Sequence, residues 1–197
     1  MVIAAVHVAS WREAYRGIVA VDFLDAMVVS DRARRYTFGL DGPNDPRTWI
    51  CLDDGDVVGF VTTGPNRDEN LVSAGEVLAL YVTPCYWRSG AGTMLMGKAE
   101  EELRSGGCRS AALWVLEAND RGRAFYEARG WRTDGATDTS RSATRTWRRF
   151  GTRRSSPRGE VDQSRRLGRY CAWKTRHARY LRYVNYQTNH FASSERE

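Results

Sequence analysis

Residues 76–93 read EVLALYVTPCYWRSGAGT, and they carry the clearest indication of the fold. Its first half is a continuous apolar run closed by Pro84, which predicts a strand in the interior of a sheet. Its second half places Gly90 and Gly92 immediately before an apolar stripe that predicts a helix through Arg104. A buried strand that leads through a glycine-rich turn into a helix is typical of sheets covered by helices.

The glycine-rich turn also suggests a ligand. Glycines let the backbone approach a bound molecule, and a helix N-terminus offers unpaired N–H groups and the positive end of its dipole. With Arg88 beside it, the turn predicts a cradle for an anion such as a pyrophosphate. Taken alone this is weak evidence, since structural capping explains many such turns. It matches neither the Walker pattern nor the full GxGxxG of dinucleotide folds.

A second motif follows at residues 119–131, which read NDRGRAFYEARGW. It comes after another apolar strand, predicted over 111–116, and Asn119 or Asp120 caps a helix that Gly130 stops. The two motifs together resemble the GNAT acetyltransferase superfamily. In that family a [Q/R]xxGx[G/A] loop binds the pyrophosphate of acetyl-CoA, and an Asn…FYExxGF-like helix follows. The resemblance covers about residues 3–135 and makes acetyl-CoA the expected co-substrate, with no metal.

The resemblance implies roles for matching positions. The backbone of Leu80, Tyr81 and Val82 should pair with the pantetheine arm, and a strand-end N–H, that of Val82, should polarise the thioester carbonyl. The pyrophosphate should be held by the N–H groups of six consecutive residues: Arg88, Ser89, Gly90, Ala91, Gly92 and Thr93.

Three further positions complete the expected site. Asn119 should contact the pantetheine, and Tyr126 should protonate the departing thiolate. Glu76 is the candidate general base, acting directly or through water. Tyr126 as a core aromatic residue and Glu76 as a solvated charge stay open as alternatives.

The implied fold is α/β, an α+β sandwich with a mixed central sheet flanked by helices. The chain starts inside the family's first helix, so its first strand is expected to be missing. Trp87 stands where Gln or Arg is commonest, which would shift one phosphate contact to Arg88. Gly122 replaces a usual helix former, at a cost of about 1 kcal/mol in helix propensity. Upstream, the turn at 53–56 predicts a hairpin between strands at 48–52 and 57–62.

The charge divides the chain into two unequal parts. Residues 1–131 hold 14 Lys and Arg against 18 Asp and Glu, a net charge of −4, whereas residues 132–197 hold 16 against 6, a net charge of +10. We therefore predict an acetyltransferase domain at 1–135 and an arginine-rich tail at 136–197. The tail predicts an edge strand at 144–150 and weak structure elsewhere, with a basic aromatic helix allowed around 165–186.

Other features narrow the classes of protein. No stretch approaches the roughly 20 apolar residues of a membrane helix, and no signal peptide is evident. Four widely spaced cysteines predict no zinc site or disulfide framework, and they favour a reducing cytoplasm.

We therefore predict an enzyme that transfers the acetyl group of acetyl-CoA to a primary amine, by direct attack in a ternary complex. The acceptor, a small molecule or a peptide, is expected between the region from Trp11 to Met27 and the strand carrying Glu76. The alternative is a degenerate CoA-binding module whose basic, aromatic tail binds nucleic acid without sequence preference. An incomplete sheet edge would also allow a homodimer.

Overall fold

The computed structural model describes residues 1–36, 42, 44–68, 71, 73–139, 146–152 and 179–183. The helices in this part of the chain are α1 (Val2–Ala14), α2 (Val21–Asp25), α3 (Val29–Arg34), α4 (Ala91–Ser105) and α5 (Asp120–Ala128). The strands are β1 (Arg47–Asp53), β2 (Asp56–Pro65), β3 (Ala74–Val82), β4 (Ser110–Leu116), β5 (Arg132–Asp138), β6 (Trp147–Gly151) and β7 (Arg179–Tyr183). None of the helices in these ranges is long and apolar enough to cross a membrane.

All seven strands form one mixed sheet in the order β5-β6-β4-β3-β2-β1-β7. The predicted hairpin is confirmed: β1 and β2 pair antiparallel around Asp54 and Gly55, whose φ angles are 50° and 88°. Two consecutive positive φ angles match the twist of a tight hairpin, which explains the Asp-Gly sequence at this turn. β3 pairs antiparallel with β2 and parallel with β4, as the crossover through α4 requires.

Helices cover both faces of this sheet. On one face Leu95, Met96 and Ala99 of α4 are fully buried against Val61 and Leu113. On the other face the buried side chains of α1 pack on β1 and β2 in a second cluster that includes Ile3, Val6, Ile50, Leu52 and Phe60. The predicted mixed sheet flanked by helices is therefore confirmed.

The sheet opens between β3 and β4. The two strands pair from Ala74 opposite Ser110 to Val77 opposite Leu113, and the pairing stops there although both strands continue. The register between β2 and β3 shifts at the same level, which leaves Leu78 as an extra residue on β3. Such a bulge bends its strand. Beyond Val77, β3 is thus paired on its β2 side only within the described residues.

Within the strand predicted at 144–150, of which 144 and 145 lie outside the described residues, β6 forms from Trp147 onward, but the predicted edge position is wrong. β6 lies between β4 and β5, and Phe150 is 1% exposed in the core opposite Leu113. The arginines that make this stretch look like tail are held by acidic partners: Arg148 Nε donates to Glu117 Oε1 at 2.8 Å, and Arg149 Nε donates to Asp134 at 2.6 Å. β5 also crosses residue 135, so the predicted domain boundary falls inside a strand.

A strand also stands where the sequence allows a helix. Within 165–186 the described residues 179–183 form β7, which pairs antiparallel with β1. Leu181 and Tyr183 are half-buried while Tyr180 and Arg182 are exposed, and this alternation is typical of a strand rather than a helix. The edge of β1, at which a second copy could have paired, is therefore occupied by the same chain. The remaining tail positions, including Tyr170, Trp173 and Tyr186, lie outside the described residues.

Candidate active site

A cavity of about 810 Å³ fills the opening between β3 and β4. Residues 78–82 of β3 and 113–115 of β4 form its two strand walls, and Tyr15 of α1 and Phe125 of α5 also line it. The predicted site residues that line this cavity are Glu76, Leu80, Tyr81, Val82, Arg88, Gly90, Gly92, Thr93, Asn119 and Tyr126. The structure thus brings ten of the twelve predicted residues to one cleft.

Ser89 and Ala91 are the two predicted residues that do not line the cavity. The Ser89 hydroxyl donates to the carbonyl of Tyr86 at 2.5 Å, and Ala91 is wholly buried in the α4 core. Their side chains serve the turn and the helix packing.

The open edge of β3 presents backbone groups of alternate residues. The N–H of Thr83 donates to the carbonyl of Val58 at 2.9 Å, so Thr83 and Tyr81 direct their polar groups toward β2. Leu80 and Val82 consequently direct theirs toward the cavity. The Val82 carbonyl accepts from Ser10 Oγ at 2.8 Å and from Trp87 Nε1 at 2.7 Å. Tyr81 reaches the cleft through its side chain only.

The start of α4 forms the second element of the site. Gly90 is its N-cap with φ 92°, a left-handed conformation that suits glycine, and no side chain caps the helix. No acidic residue lies in the first turn. Because the first N–H groups of a helix have no partner within it, those of the first turn remain available to an anion. Arg88, at φ 63°, holds an uncommon left-handed conformation beside them.

The structure adds a cation that the sequence analysis did not single out. The guanidinium of Arg121 lies 3.4 Å from the centre of the Trp87 ring, and both residues line the cavity. Trp87 occupies the motif position at which the sequence analysis expects Gln or Arg, and its ring instead packs against an arginine from α5. The one sequence signal for Arg121 as a residue of the cleft is its position two residues after Asn119.

Asn119 serves as the N-cap of α5 and lines the cavity at the same time. Its Oδ1 accepts from the N–H of Gly122 at 3.0 Å. A Cβ at position 122 would lie 2.7 Å from Asn119 Nδ2, so glycine is required for this side-chain position. The unusual Gly122 thus keeps the amide of Asn119 folded over the helix start.

Three tyrosines surround the centre of the cleft: Tyr15, Tyr81 and Tyr126. Burial raises the pKa of each hydroxyl above its ordinary value, and for Tyr126 the nearby Tyr81 adds to the rise. The Tyr126 ring packs against Phe125, Trp131 and Phe150 at centroid distances of 5.3–6.5 Å. A phenol is protonated at neutral pH even at its ordinary pKa, so each of these hydroxyls can serve as a proton donor.

Glu76 lies on β3 one residue before the strands separate, and its side chain is 1% exposed. The carboxylate accepts from the backbone N–H and from Nε of Arg67, each at 3.1 Å, and makes a further contact with the same guanidinium. These bonds to Glu76 raise the pKa of Arg67, against the smaller effect of burial. The solvated-charge reading of Glu76 is therefore wrong, and the sequence analysis missed Arg67.

The described residues contain no group of three or more His, Cys, Asp or Glu side chains that could hold a metal ion. What the cleft does offer is an open strand edge, unpaired N–H groups at a helix start and, near that start, Arg88 and Arg121. That set suits an extended amide-containing molecule that ends in phosphates.

Comparison with known proteins supports this chemistry. The family model described as "Acetyltransferase (GNAT) family" matches residues 8–131. The chain is 34% identical over 128 residues to the uncharacterized N-acetyltransferase YuaI of Bacillus subtilis, covering 64% of this chain and 70% of that protein. It is 31% identical over 140 residues to a probable N-acetyltransferase of Mycobacterium tuberculosis, covering 70% and 76%.

Solved structures share the fold. The PaiA N-acetyltransferase from Thermoplasma acidophilum, in complex with coenzyme A, superposes with a TM-score of 0.57 at 18% identity, covering 75% of this chain and 89% of that chain. A putative streptothricin acetyltransferase from Bacillus anthracis, in complex with acetyl coenzyme A, gives a TM-score of 0.51 at 19% identity, covering 59% and 68%.

Proposed function

The chain belongs to the GNAT acetyltransferase family, and we propose that it transfers the acetyl group of acetyl-CoA to a primary amine by direct attack within a ternary complex. Two similar structures hold coenzyme A or acetyl coenzyme A, which supports acetyl-CoA as the co-substrate. The observation that carries the proposal is the opening of the sheet after Val77, directly beside an uncapped helix start.

The residues of this chain suit the co-substrate in a definite order. The backbone groups of Leu80 and Val82 at the open edge would pair with the amides of the pantetheine arm, as an added strand does. The first-turn N–H groups of α4, from Ala91 to Thr93, would hold the pyrophosphate. Arg88 and the Trp87-supported Arg121 would supply the positive charge.

The reacting centre lies where the open edge meets Tyr126. Acetyl-CoA supplies an activated acetyl thioester at this point. The Val82 N–H would stabilise negative charge on the carbonyl oxygen of the thioester. The backbone carbonyl of Val82 itself accepts hydrogen bonds from Ser10 and Trp87, which fix this end of β3. The Tyr126 hydroxyl, which is protonated at neutral pH, would donate its proton to the departing sulfur.

The proton balance assigns Glu76 its task. A primary amine arrives as an ammonium ion, and its first excess proton would pass to the Glu76 carboxylate, directly or through water. The C–N bond then forms as the C–S bond breaks, the sulfur takes the Tyr126 proton, and the Tyr126 oxygen regains a proton from the new amide nitrogen. The proton on Glu76 leaves to solvent, so one proton is released for each acetyl transfer.

A thiol-release assay over a panel of primary amines tests the proposal, with acetyl-CoA and amine varied together. Direct attack predicts intersecting initial-rate lines and no acetylated protein when acetyl-CoA is added alone. Parallel lines, or an acetyl group found on the protein by mass spectrometry, would replace direct attack with a covalent route. Release of thiol with none of the amines, together with salt-sensitive binding to arbitrary nucleic acid, would favour the binding-module alternative.

A further inference from the structure

The two partners of the ion pair between Arg67 and Glu76 differ greatly in solvent exposure. The Glu76 side chain is 1% exposed, whereas the Arg67 side chain is 56% exposed. Within the described part of the chain, the hydrogen bonds to the Glu76 carboxylate come from Arg67 alone, two from its guanidinium and one from its backbone N–H. The anion is fixed in the sheet, and its cation reaches in from outside.

This asymmetry makes the cation the exchangeable partner. Arg67 sits on the short polar connection after β2, and its head group is well placed to return to water. The carboxylate cannot follow, since it belongs to the strand between β2 and β4. Withdrawing Arg67 would leave a buried charge unpaired, which is strongly unfavourable unless another cation takes its place.

Both partners line the catalytic cavity, so a cation that enters the cleft can reach the carboxylate. Glu76 also lies one residue before the point at which β3 and β4 separate, at the inner end of the open edge. An ammonium group offers three N–H donors and one positive charge, which can replace the donors of a guanidinium.

We propose that the acceptor is a cationic amine whose ammonium group displaces the Arg67 guanidinium from Glu76, and that Arg67 acts as a positioning residue that occupies this subsite between turnovers. With Arg67 in place, the carboxylate is held by a guanidinium, which does not give up a proton. When the substrate ammonium takes over, the cation at Glu76 is one that can give up a proton. Neutral or anionic acceptors have no means of displacing Arg67.

The inference rests on the proposed acetyl transfer, and binding measurements separate the two. The probe is n-propylguanidinium, which carries the head group and stem of an arginine side chain. In an Arg67→Ala variant we expect calorimetry to give an affinity for this probe at least tenfold tighter than in the wild type, where the tethered guanidinium competes. The matched control is Arg47→Ala, since the Arg47 side chain is 58% exposed and pairs with Glu102 at 3.7 Å on α4, outside the cavity.

The outcomes are distinct. Equal affinity of the probe for wild type and Arg67→Ala, or equal gains in the Arg67→Ala and Arg47→Ala variants, would overturn the inference. A gain that persists in the double variant Arg67→Ala, Glu76→Gln would also overturn it, because the carboxylate would not be the binding partner. Acetyl-CoA is titrated in parallel: if it binds while the probe does not, the proposed function stands and only the cation exchange fails. If Arg67→Ala does not fold, Arg67→Gln, which keeps a donor for Glu76, is used instead.

Steady-state kinetics connect the subsite to the acceptor. In Arg67→Ala the KM for a cationic amine should fall at least fivefold, because the internal competitor is gone, and n-propylguanidinium should inhibit competitively against the amine. Arg67→Lys should restore most of the wild-type KM, since it returns a tethered cation. A purely structural Arg67 would alter thermal stability without this fall in KM, and an unchanged or higher KM in Arg67→Ala would contradict the proposal.

Discussion

The two sides of the cleft are built by different means. The proposed cofactor side, formed by the end of β3 and the starts of α4 and α5, presents backbone groups freed by a bulge, by Gly90 and by the lack of a side-chain cap on α4 among the described residues. The proposed acceptor side, formed by the end of α1, Tyr81 and the Arg67–Glu76 pair, presents side chains from distant parts of the chain, and the buried His7 packs behind it against Tyr81. His7 and Tyr36 share a hydrogen bond of 2.7 Å although they lie 29 positions apart.

The difference matters because backbone sites and side-chain sites respond differently to change. A backbone cradle tolerates many side chains but not a misplaced charge or a blocked approach. A buried side-chain cluster depends on each polar group keeping its partner and its charge state. Four predictions sharpen this contrast, from the largest effect to the smallest.

The largest effect concerns His7, which lies behind the proposed acceptor side, stacks on Trp11, makes a tilted contact with Tyr81 and is 1% exposed. Burial, with help from Arg32, lowers the pKa of His7 to about 3 from 6.5. The unfolded chain therefore binds a proton below pH 6.5 that the folded protein does not, so stability falls from pH 6.5 down to about 3. The loss should reach about 4 kcal/mol at most.

Denaturant unfolding across this pH range checks the His7 prediction. His7→Asn should flatten the dependence of the unfolding free energy on pH. Tyr36→Phe, which removes the shared hydrogen bond but leaves the titrating group, should keep the slope. An unchanged slope in His7→Asn would assign the pH dependence to other groups.

The next effect concerns the cofactor side. The atoms nearest to a Cβ at Gly92 would belong to the Phe125 ring, at 3.6 Å, and to Val82, at 3.8 Å, which are ordinary contact distances, so a Cβ fits in the structure. Gly92→Asp should nevertheless weaken acetyl-CoA binding at least a hundredfold, because its carboxylate would face the pyrophosphate. The isosteric Gly92→Asn should lose less than tenfold. Equal losses measured by calorimetry would mean that bulk, and not charge, is what this position excludes.

Tyr126→Phe should lower kcat at least tenfold while leaving the affinity for acetyl-CoA within about twofold. The hydroxyl matters as charge develops on the sulfur, which is a transition-state effect. Tyr15→Phe is the matched comparison, since Tyr15 also has a buried, pKa-raised hydroxyl on the cavity wall. If Tyr15→Phe costs more in kcat than Tyr126→Phe, the acid has been assigned to the wrong tyrosine.

The smallest effect tests Gly122. Replacing it with Ala gains about 1 kcal/mol of helix propensity but pushes the Asn119 side chain off the helix start, which costs about the same. Stability should change by less than about 0.5 kcal/mol, while the affinity for acetyl-CoA falls about threefold. Asn119→Ala should lower both stability and affinity, since it loses the cap without the helix gain. An unaltered affinity in both variants would remove Asn119 from the cofactor site.

The same contrast explains what the sequence could predict. The hairpin at Asp54 and Gly55, the strand before Pro84 and the capped helix after Asn119 follow from local rules, because each is fixed by residues close together in the chain. The cofactor side of the site inherits that predictability. The opening of the sheet between β3 and β4 also depends on the bulge at Leu78, which no residue pattern predicts.

What could not be predicted depends on pairing between distant segments. Arg148 and Arg149 look like a solvated tail until Glu117 and Asp134 are placed beside them in the sheet. β7 reads as equally suitable for a helix until β1 offers it a partner edge. Arg67 is one arginine among many in the sequence, and its role becomes visible only when the structure shows it bound to the buried carboxylate of Glu76, nine positions later.

Hydrogen exchange of the full chain with and without coenzyme A is the decisive measurement of the acetyl-CoA site, since it locates the bound cofactor on the backbone. We predict that coenzyme A slows exchange of the Leu80 and Val82 amides and of the α4 first turn from Ala91 to Thr93, and leaves the β1–β2 hairpin unchanged. Calorimetry on the same sample should give one site per chain. Absence of binding, or protection confined to segments outside β3 and α4, would contradict an acetyl-CoA site in the opened sheet.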